Sequence, residues 1–278
     1  MKLQRVSTCL IVTAITSVPA MGAYYGSPDP LAADAASVYL FENNGNDATA
    51  AGRNLVTESG TPSYDPSGLH GSAYDPLAPN YFSLTMLGLP SYPADSSVIV
   101  NTSNFAVEAA VKVQSNQSQT FLGANEVPGW GGSNRVFALR ANTDQGDPSK
   151  IYFEFAVQDA GGNLLTASSP SVPFSSVQNQ WVTIAGRSTG TTLEMYVNGV
   201  LVNSSNSAGA NENFETNQTV IRFGTDWGGG NRSFAQIDDV ALYNTARTNF
   251  QAIPEPGTLS LVGLLAMGGL SLRRRKNA

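Results

Sequence analysis

Glu108 and Glu154 are the carboxylates of this 278-residue chain whose setting best suits acid–base chemistry, because each falls within a run of alternating apolar and polar residues. Hydrolysis of a glycosidic bond needs two carboxyl groups about 5 to 9.5 Å apart. In an extended strand, side chains at i and i+2 share a face. Glu108 is followed on its face by Ala110 and Lys112, and Glu154 by Ala156 and Gln158. Neither strand carries a pair, so such chemistry would have to recruit carboxylates from separate strands, and no catalytic residue is assigned. The single histidine, His70, sits in Gly68-Leu69-His70-Gly71 with no Gly-x-Ser-x-Gly elbow to serve, and reads as a turn residue.

A second constellation is an internal echo. Trp130 to Phe137 reads WGGSNRVF and Trp227 to Phe234 reads WGGGNRSF. Both lead into apolar strands. Paired on one rim, Trp130 and Trp227 could stack on the apolar faces of sugars while Asn134, Arg135, Asn231 and Arg232 donate hydrogen bonds to hydroxyls. The alternative is structural: the glycines make tight turns and each tryptophan folds back over the edge of the core. Asn142, Asp144 and Asp147 also cluster, but the residue where an EF-hand needs its bidentate acid is Phe153, so a solvated turn accounts for them.

Composition narrows the chemistry further. Cys9 is the only cysteine and lies in the first ten residues, so the rest of the chain has no disulfide and no thiolate, and one histidine cannot build a zinc or iron cluster. Setting aside the six basic residues and one glutamate of the two terminal segments leaves 9 basic against 20 acidic residues, a net charge of −11. Such a surface repels nucleic acid and anionic lipid.

The elements that must position these groups are strands. Phe105 to Val113, Ile151 to Gln158 and Trp181 to Arg187 alternate with period two, and Leu193 to Val197 does so ahead of Asn198-Gly199, the strongest short hairpin signal. Val200 to Val202 then returns. Ser37 to Phe41 reads as a first strand, Phe137 and Leu139 as a shorter one, and short strands are expected near Ala73 and over Tyr81 to Leu84. In Phe234 to Thr245, Ile237 and Val240 are three apart and share a face only if a β-bulge falls at Asp238-Asp239. No stretch reads as a long amphipathic helix.

The run WVTIAGRSTGTTLEMYVNG, with SVYLFENNGND, FAVEAAVKV and FAQIDDVALYNT, resembles the laminin-G-like, concanavalin A-like jelly-roll family over roughly Leu31 to Phe250. The resemblance implies an all-β fold, a two-sheet antiparallel β-sandwich with the first strand beside the last. It also implies a loop-borne structural calcium, for which Asp47, Asp238 and Asp239 are the candidate ligands. A non-catalytic, glycan-binding role is expected, with a structural matrix protein or a glycan-active enzyme as the alternatives.

The ends carry addresses. Residues 1–23 read as a secretory signal peptide: Lys2 and Arg5, an apolar run from Val6 to Val18, then small residues at Ala20 and Ala23. Residues 24–30 form a leader, 31–250 the sandwich and 251–278 a tail. That tail places Pro254-Glu255-Pro256 before an uncharged apolar segment, 257–272, and then Arg273, Arg274, Arg275 and Lys276. As a helix, 257–272 would span about 24 Å, close to the ~30 Å hydrocarbon layer. The three parts in this order resemble the PEP-CTERM sorting signal of Gram-negative bacteria. The resemblance implies Sec export, a transient membrane anchor, recognition by an exosortase, cleavage near the motif, and release to the cell surface or an exopolysaccharide matrix. Five Asn-x-Ser/Thr sequons, at Asn101, Asn116, Asn203, Asn217 and Asn231, read as Asn- and Ser-rich loops in this context.

Overall fold

The structure, a computed structural model, describes residues 34–57, 61–76, 84–86, 104–126, 135–159, 163–206, 219–225 and 232–250. The expected signal peptide and C-terminal helix lie outside these residues. The described residues form sixteen strands, a single short 3-10 turn at Phe174–Ser176 and no α-helix. The strands are β1 (Ser37–Tyr39), β2 (Val56–Thr57), β3 (Tyr64–Asp65), β4 (Ala73–Tyr74), β5 (Leu84–Met86), β6 (Phe105–Val113), β7 (Gln119–Glu126) and β8 (Arg135–Thr143). They continue with β9 (Lys150–Gln158), β10 (Leu164–Ser168), β11 (Val172–Pro173), β12 (Trp181–Ser188), β13 (Thr192–Val197), β14 (Val200–Asn206), β15 (Thr219–Phe223) and β16 (Ala235–Tyr243).

They pair antiparallel in two eight-stranded sheets. Sheet A runs β14-β13-β12-β6-β16-β4-β3, with β1 also on β16; sheet B runs β10-β9-β8-β7-β15-β5-β2, with β11 also on β9. This is the expected β-sandwich. Period-two alternation turns Phe105, Val107, Ala109, Val111 and Val113 of β6 inward against Phe153, Phe155 and Val157 of β9 and Phe137 and Leu139 of β8. The Phe105 ring lies 5.2 Å from Phe137 and 5.7 Å from Phe155, centroid to centroid. Gly186 of β12 faces the ring of Phe155 so closely that a Cβ there would collide with it.

Three local expectations hold. Asn198 and Gly199 both take positive φ, 49° and 74°, and Val197 pairs with Val200 across the two-residue turn. Register on β6 slips between Asp238 and Ala241, Asp239 takes φ 46°, and Ile237, Val240 and Leu242 all reach the core, so the bulge lies where the spacing required it. Tyr39 pairs with Val240, which puts the first strand beside the last. The strand read around Phe137 and Leu139 is longer than expected, running the length of β8.

Two further features frame the sandwich. At one side, β14 and β10 end their sheets, and Asn203 Nδ2 and Ser205 Oγ donate to the carbonyls of Ser168 and Thr166, both at 2.7 Å, stitching the edges together. On the outer face of sheet A, residues 244–250 form a strap. Ala246 N–H donates to Asn104 Oδ1 at 2.9 Å, Arg247 lies over the Tyr243 ring and pairs with Asp34 at 2.6 Å, and Phe250 meets Tyr196 at 4.6 Å between centroids. Val38, Ala106, Ala185 and Ala241 are buried in the same cluster.

Candidate functional site

The bulge on β16 projects its carboxylates toward the turn between β3 and β4. Gly68 N–H donates to the Gly71 carbonyl at 2.9 Å, closing that turn, and the N–H groups of Leu69 and His70 donate to Asp238 Oδ2 at 2.8 and 3.3 Å. His70 Nδ1 contacts Asp239 Oδ2, and Glu42 accepts from the Ser72 N–H at 3.1 Å. A Cβ on Gly71 would run into the Glu42 carboxylate, and one on Gly68 would meet the Ser72 backbone, so the turn closes only with glycine at both positions. His70 is therefore a turn residue, as expected, but its side chain is only 7% exposed and its Nε2 is buried with no hydrogen-bond partner. Burial pushes the Asp238 carboxyl up, and the charge of Asp239 adds to this. Burial alone would lower the His70 pKa, but the hydrogen bond and charge of Asp239, with Asp238 and Glu42 behind them, turn the net shift upward. Spacing pointed to Asp238 and Asp239; nothing local to Glu42 or His70 marked them as partners.

Asp47 does something else. It pairs with Tyr39 through an isolated bridge, and its carboxylate accepts from the N–H groups of Val38, Thr49 and Arg53 at 3.0, 2.9 and 3.0 Å and from Thr49 Oγ1 at 2.9 Å. A calcium ion takes six to eight oxygen lone pairs. Asp47, with both oxygens already filled by donors, does not fit that role. Nor does the fold bring it together with Asp238 and Asp239, which take their partners from the turn at residues 68–71. Among the described residues no group of three or more His, Cys, Asp or Glu side chains is arranged to hold a metal ion. Asp144 and Asp147 cap their own turn, through Gly146 and Ser149 respectively, as the solvated-turn reading expects.

Of the echoed residues, Trp130, Asn134, Trp227 and Asn231 lie outside the described residues; Arg135 begins β8 and Arg232 is half-buried. Their flanks are informative. Glu126, at the end of β7, pairs with Thr219 at the start of β15, so the first echo leaves from that end. The second follows β15, where Gly224 N–H donates to the Phe121 carbonyl and Phe234 N–H donates to Gln119 Oε1, at the other end of β7. The chain leaves β7 after Glu126 and leaves β15 at Gly224, opposite Phe121, so the two entry points lie five residues apart along β7, about 17 Å. A single rim fed by both echoes, as the repeat suggested, does not follow from this topology.

The outer face of sheet B carries an ordered polar row. Arg140 lies directly across from Glu154, and Glu154 across from Ser168, on three neighbouring strands. Glu154 accepts from Arg140 Nε at 2.6 Å, Asn142 Nδ2 at 3.2 Å and Ser168 Oγ at 2.9 Å, and its side chain is only 8% exposed. Tyr152 sits half-buried beside Asn142. Burial, and then the charge of Glu154, raise the Tyr152 pKa, which keeps its hydroxyl protonated. Beyond Glu154, across the sheet, the same face is floored by Ala156, Ala138 and Gly123.

The chain belongs to the concanavalin A-like lectin/glucanases superfamily, which residues 91–251 match. Residues 252–276 match the PEP-CTERM protein-sorting motif, which marks an exported protein sorted to the cell envelope or surface and implies processing by an exosortase. Among solved structures, the binding domain of botulinum neurotoxin serotype D/C is similar at TM-score 0.53 and 11% identity, covering 77% of this chain and 50% of that one. The serotype C1 binding domain is similar at TM-score 0.50 and 10% identity, covering 76% and 49%. This chain thus spans about half the length of those domains. Domain 4 of an extracellular arabinanase from Geobacillus stearothermophilus, solved with arabinotriose, aligns at TM-score 0.46 and 17% identity over 77% of this chain and 93% of that one. No curated protein matches the chain.

Proposed function

We propose that the protein is a non-catalytic carbohydrate-binding module, exported and processed at its C-terminal signal, that holds an extracellular polysaccharide through the outer face of sheet B. The observation that carries this reading is the row Arg140, Glu154 and Ser168 beside Tyr152. Mutual pairing fixes the donors and acceptors in place before a ligand arrives, and a guanidinium has five N–H groups, enough to hold Glu154 and still reach sugar hydroxyls. The Tyr152 ring supplies an apolar surface for a pyranose face. The same row argues against hydrolysis: Glu154 is held by a cation and two neutral donors, and the residues across from it on β8 and β10 are Arg140 and Ser168, so no second carboxylate stands opposite. The family match supports a glycan as the ligand class, and the sorting motif supports its extracellular setting.

The test is affinity electrophoresis of the exported protein in gels containing the host's exopolysaccharide, with calcium and with a chelator. Retardation that disappears in Tyr152→Ala while the melting temperature stays within a few degrees supports the reading. Unretarded migration in both gels would leave a structural matrix protein as the better description, and release of reducing ends from the polysaccharide would overturn the non-catalytic assignment. Comparison of the two gels reads out any cation requirement.

A further inference from the structure

The outer face of sheet A carries a row of its own, away from the strap. Trp181 of β12 lies directly across from Lys112 of β6, and Lys112 directly across from Gln236 of β16. Their chain neighbours Val182, Val111, Val113, Ala235 and Ile237 belong to the core, so period-two alternation turns all three outward. Lys112 stands six residues along β6 from Ala106, which is buried with Phe250 of the strap, a distance of about 20 Å. Trp181 and Lys112 both keep part of their surface in solvent.

The row holds polar groups without partners. Gln236 is 2% exposed; its Nε2 donates to Asp65 Oδ2 at 2.6 Å, while its Oε1 is buried with no hydrogen-bond partner. The Lys112 ammonium lies 5.8 Å from the centre of the Trp181 ring, at the outer limit of a cation–π contact, and no ion pair with a described carboxylate holds it. Hydrogen bonds from Ser67 lower the Asp65 pKa and the charge of Lys112 adds to this, so the row is locally balanced in charge. An indole ring, a donor and an acceptor thus stand side by side over about 10 Å. A row with only a structural task would pair its members with one another, as Arg140, Glu154 and Ser168 do on sheet B.

We propose that this row is a second polysaccharide contact, in which the Trp181 ring takes a pyranose face and Lys112 and Gln236 take the hydroxyls beside it, so that one molecule bridges two polysaccharide chains. The proposal rests on the carbohydrate-binding reading above and adds a second site to it. The sheets of a sandwich pack about 10 Å apart and their outer faces look in opposite directions. A sugar chain lying on sheet B therefore reaches Trp181 only by wrapping round the domain, whereas a second chain meets it directly. With 20 acidic against 9 basic residues outside the terminal segments, and Asp65 beside Lys112, the row suits a neutral sugar better than an acidic one. It is the weaker of the two contacts, because Lys112 gives up side-chain freedom on binding while the sheet B row is already ordered. Retardation in a gel is accordingly set by sheet B, and the sheet A row shows itself in bridging.

The experiment is a two-step capture. The exported protein is loaded onto a surface coated with the host's exopolysaccharide, and the same polysaccharide, labelled, is then passed over it. The natural protein is expected to take up label. Trp181→Ala and Lys112→Ala are each expected to load as the natural protein does and to take up about tenfold less label. Lys112→Ala decides the matter if Trp181→Ala lowers the melting temperature. No uptake by the loaded natural protein would overturn the second contact. Equal uptake by the variants would overturn it as well, since another face or another copy of the chain would then hold the second polysaccharide. Failure of the natural protein to load would instead overturn the carbohydrate-binding reading itself.

Discussion

His70 Nδ1 and Asp239 Oδ2 are in direct contact although 169 positions separate them in the chain. The contact joins the turn between β3 and β4 to the bulge of β16, and so ties the irregular first third of the domain to the strand that sits in the middle of sheet A.

This cluster makes stability depend on pH. The folded pKa values of His70 and Asp238 are both raised above their ordinary values of 6.5 and 3.8, Asp238 to about 8. A raised group contributes stability that is complete below its unfolded pKa and is lost as pH rises through its folded pKa. The urea midpoint is therefore expected to fall as pH rises from 3.8 to about 8, the interval between the ordinary and the folded value of Asp238, and Asp238→Asn to flatten the slope. A midpoint that climbs over that interval would contradict the assignment.

Asp47→Ala strands the backbone N–H of Val38 in β1 and those of Thr49 and Arg53 in the following loop. A loss of about 3 kcal/mol is expected from equilibrium denaturation. Asp47→Asn keeps one acceptor oxygen and should lose clearly less. Equal losses would mean that the carboxylate charge, rather than its lone pairs, holds the loop.

Gly186→Ala inserts a methyl group into the ring of Phe155. The cost is expected at about 1–3 kcal/mol. The double change with Phe155→Leu should recover part of it, because the two residues share one volume. Full additivity in that cycle would show that the close approach is not what requires glycine.

Removing Asn203 and Ser205 side chains together exposes the carbonyls of Ser168 and Thr166. A loss of about 1–2 kcal/mol is expected. Sedimentation should also detect more self-association than in the natural protein, since an uncovered strand edge invites pairing with another chain.

What was legible in the chain followed from local rules. The Asn198-Gly199 turn needs only two positive φ values, and the bulge at Asp238-Asp239 was forced by the three-residue spacing of Ile237 and Val240. β7 and β15 were not legible. QTFLGANE and TVIRF carry too few clean alternations, and β7 lies between β8 and β15, where strand pairing rather than period stabilises it. The pairing of Glu42 and His70 with the bulge was invisible for a similar reason, since their neighbours arrive from the far end of the chain. The tryptophan echo was legible as a repeat, and most of it lies outside the described residues; the pairing of β7 with β15 shows only that its two copies leave from different points along β7.

The position of β16 in sheet A also sets the order of events when the chain is made and exported. It lies between β6 and the β4 and β1 strands, yet it is the last strand among the described residues to be synthesised. Until residues 235–243 are available, β6 has a neighbour on one side only, and β1 and the β3–β4 pair have no strand that links them to the rest of sheet A. Closing this sandwich waits on long-range pairing of the kind that makes β-folds slow. The same strand that completes sheet A leads, through residues 244–250, into the sorting motif matched at 252–276.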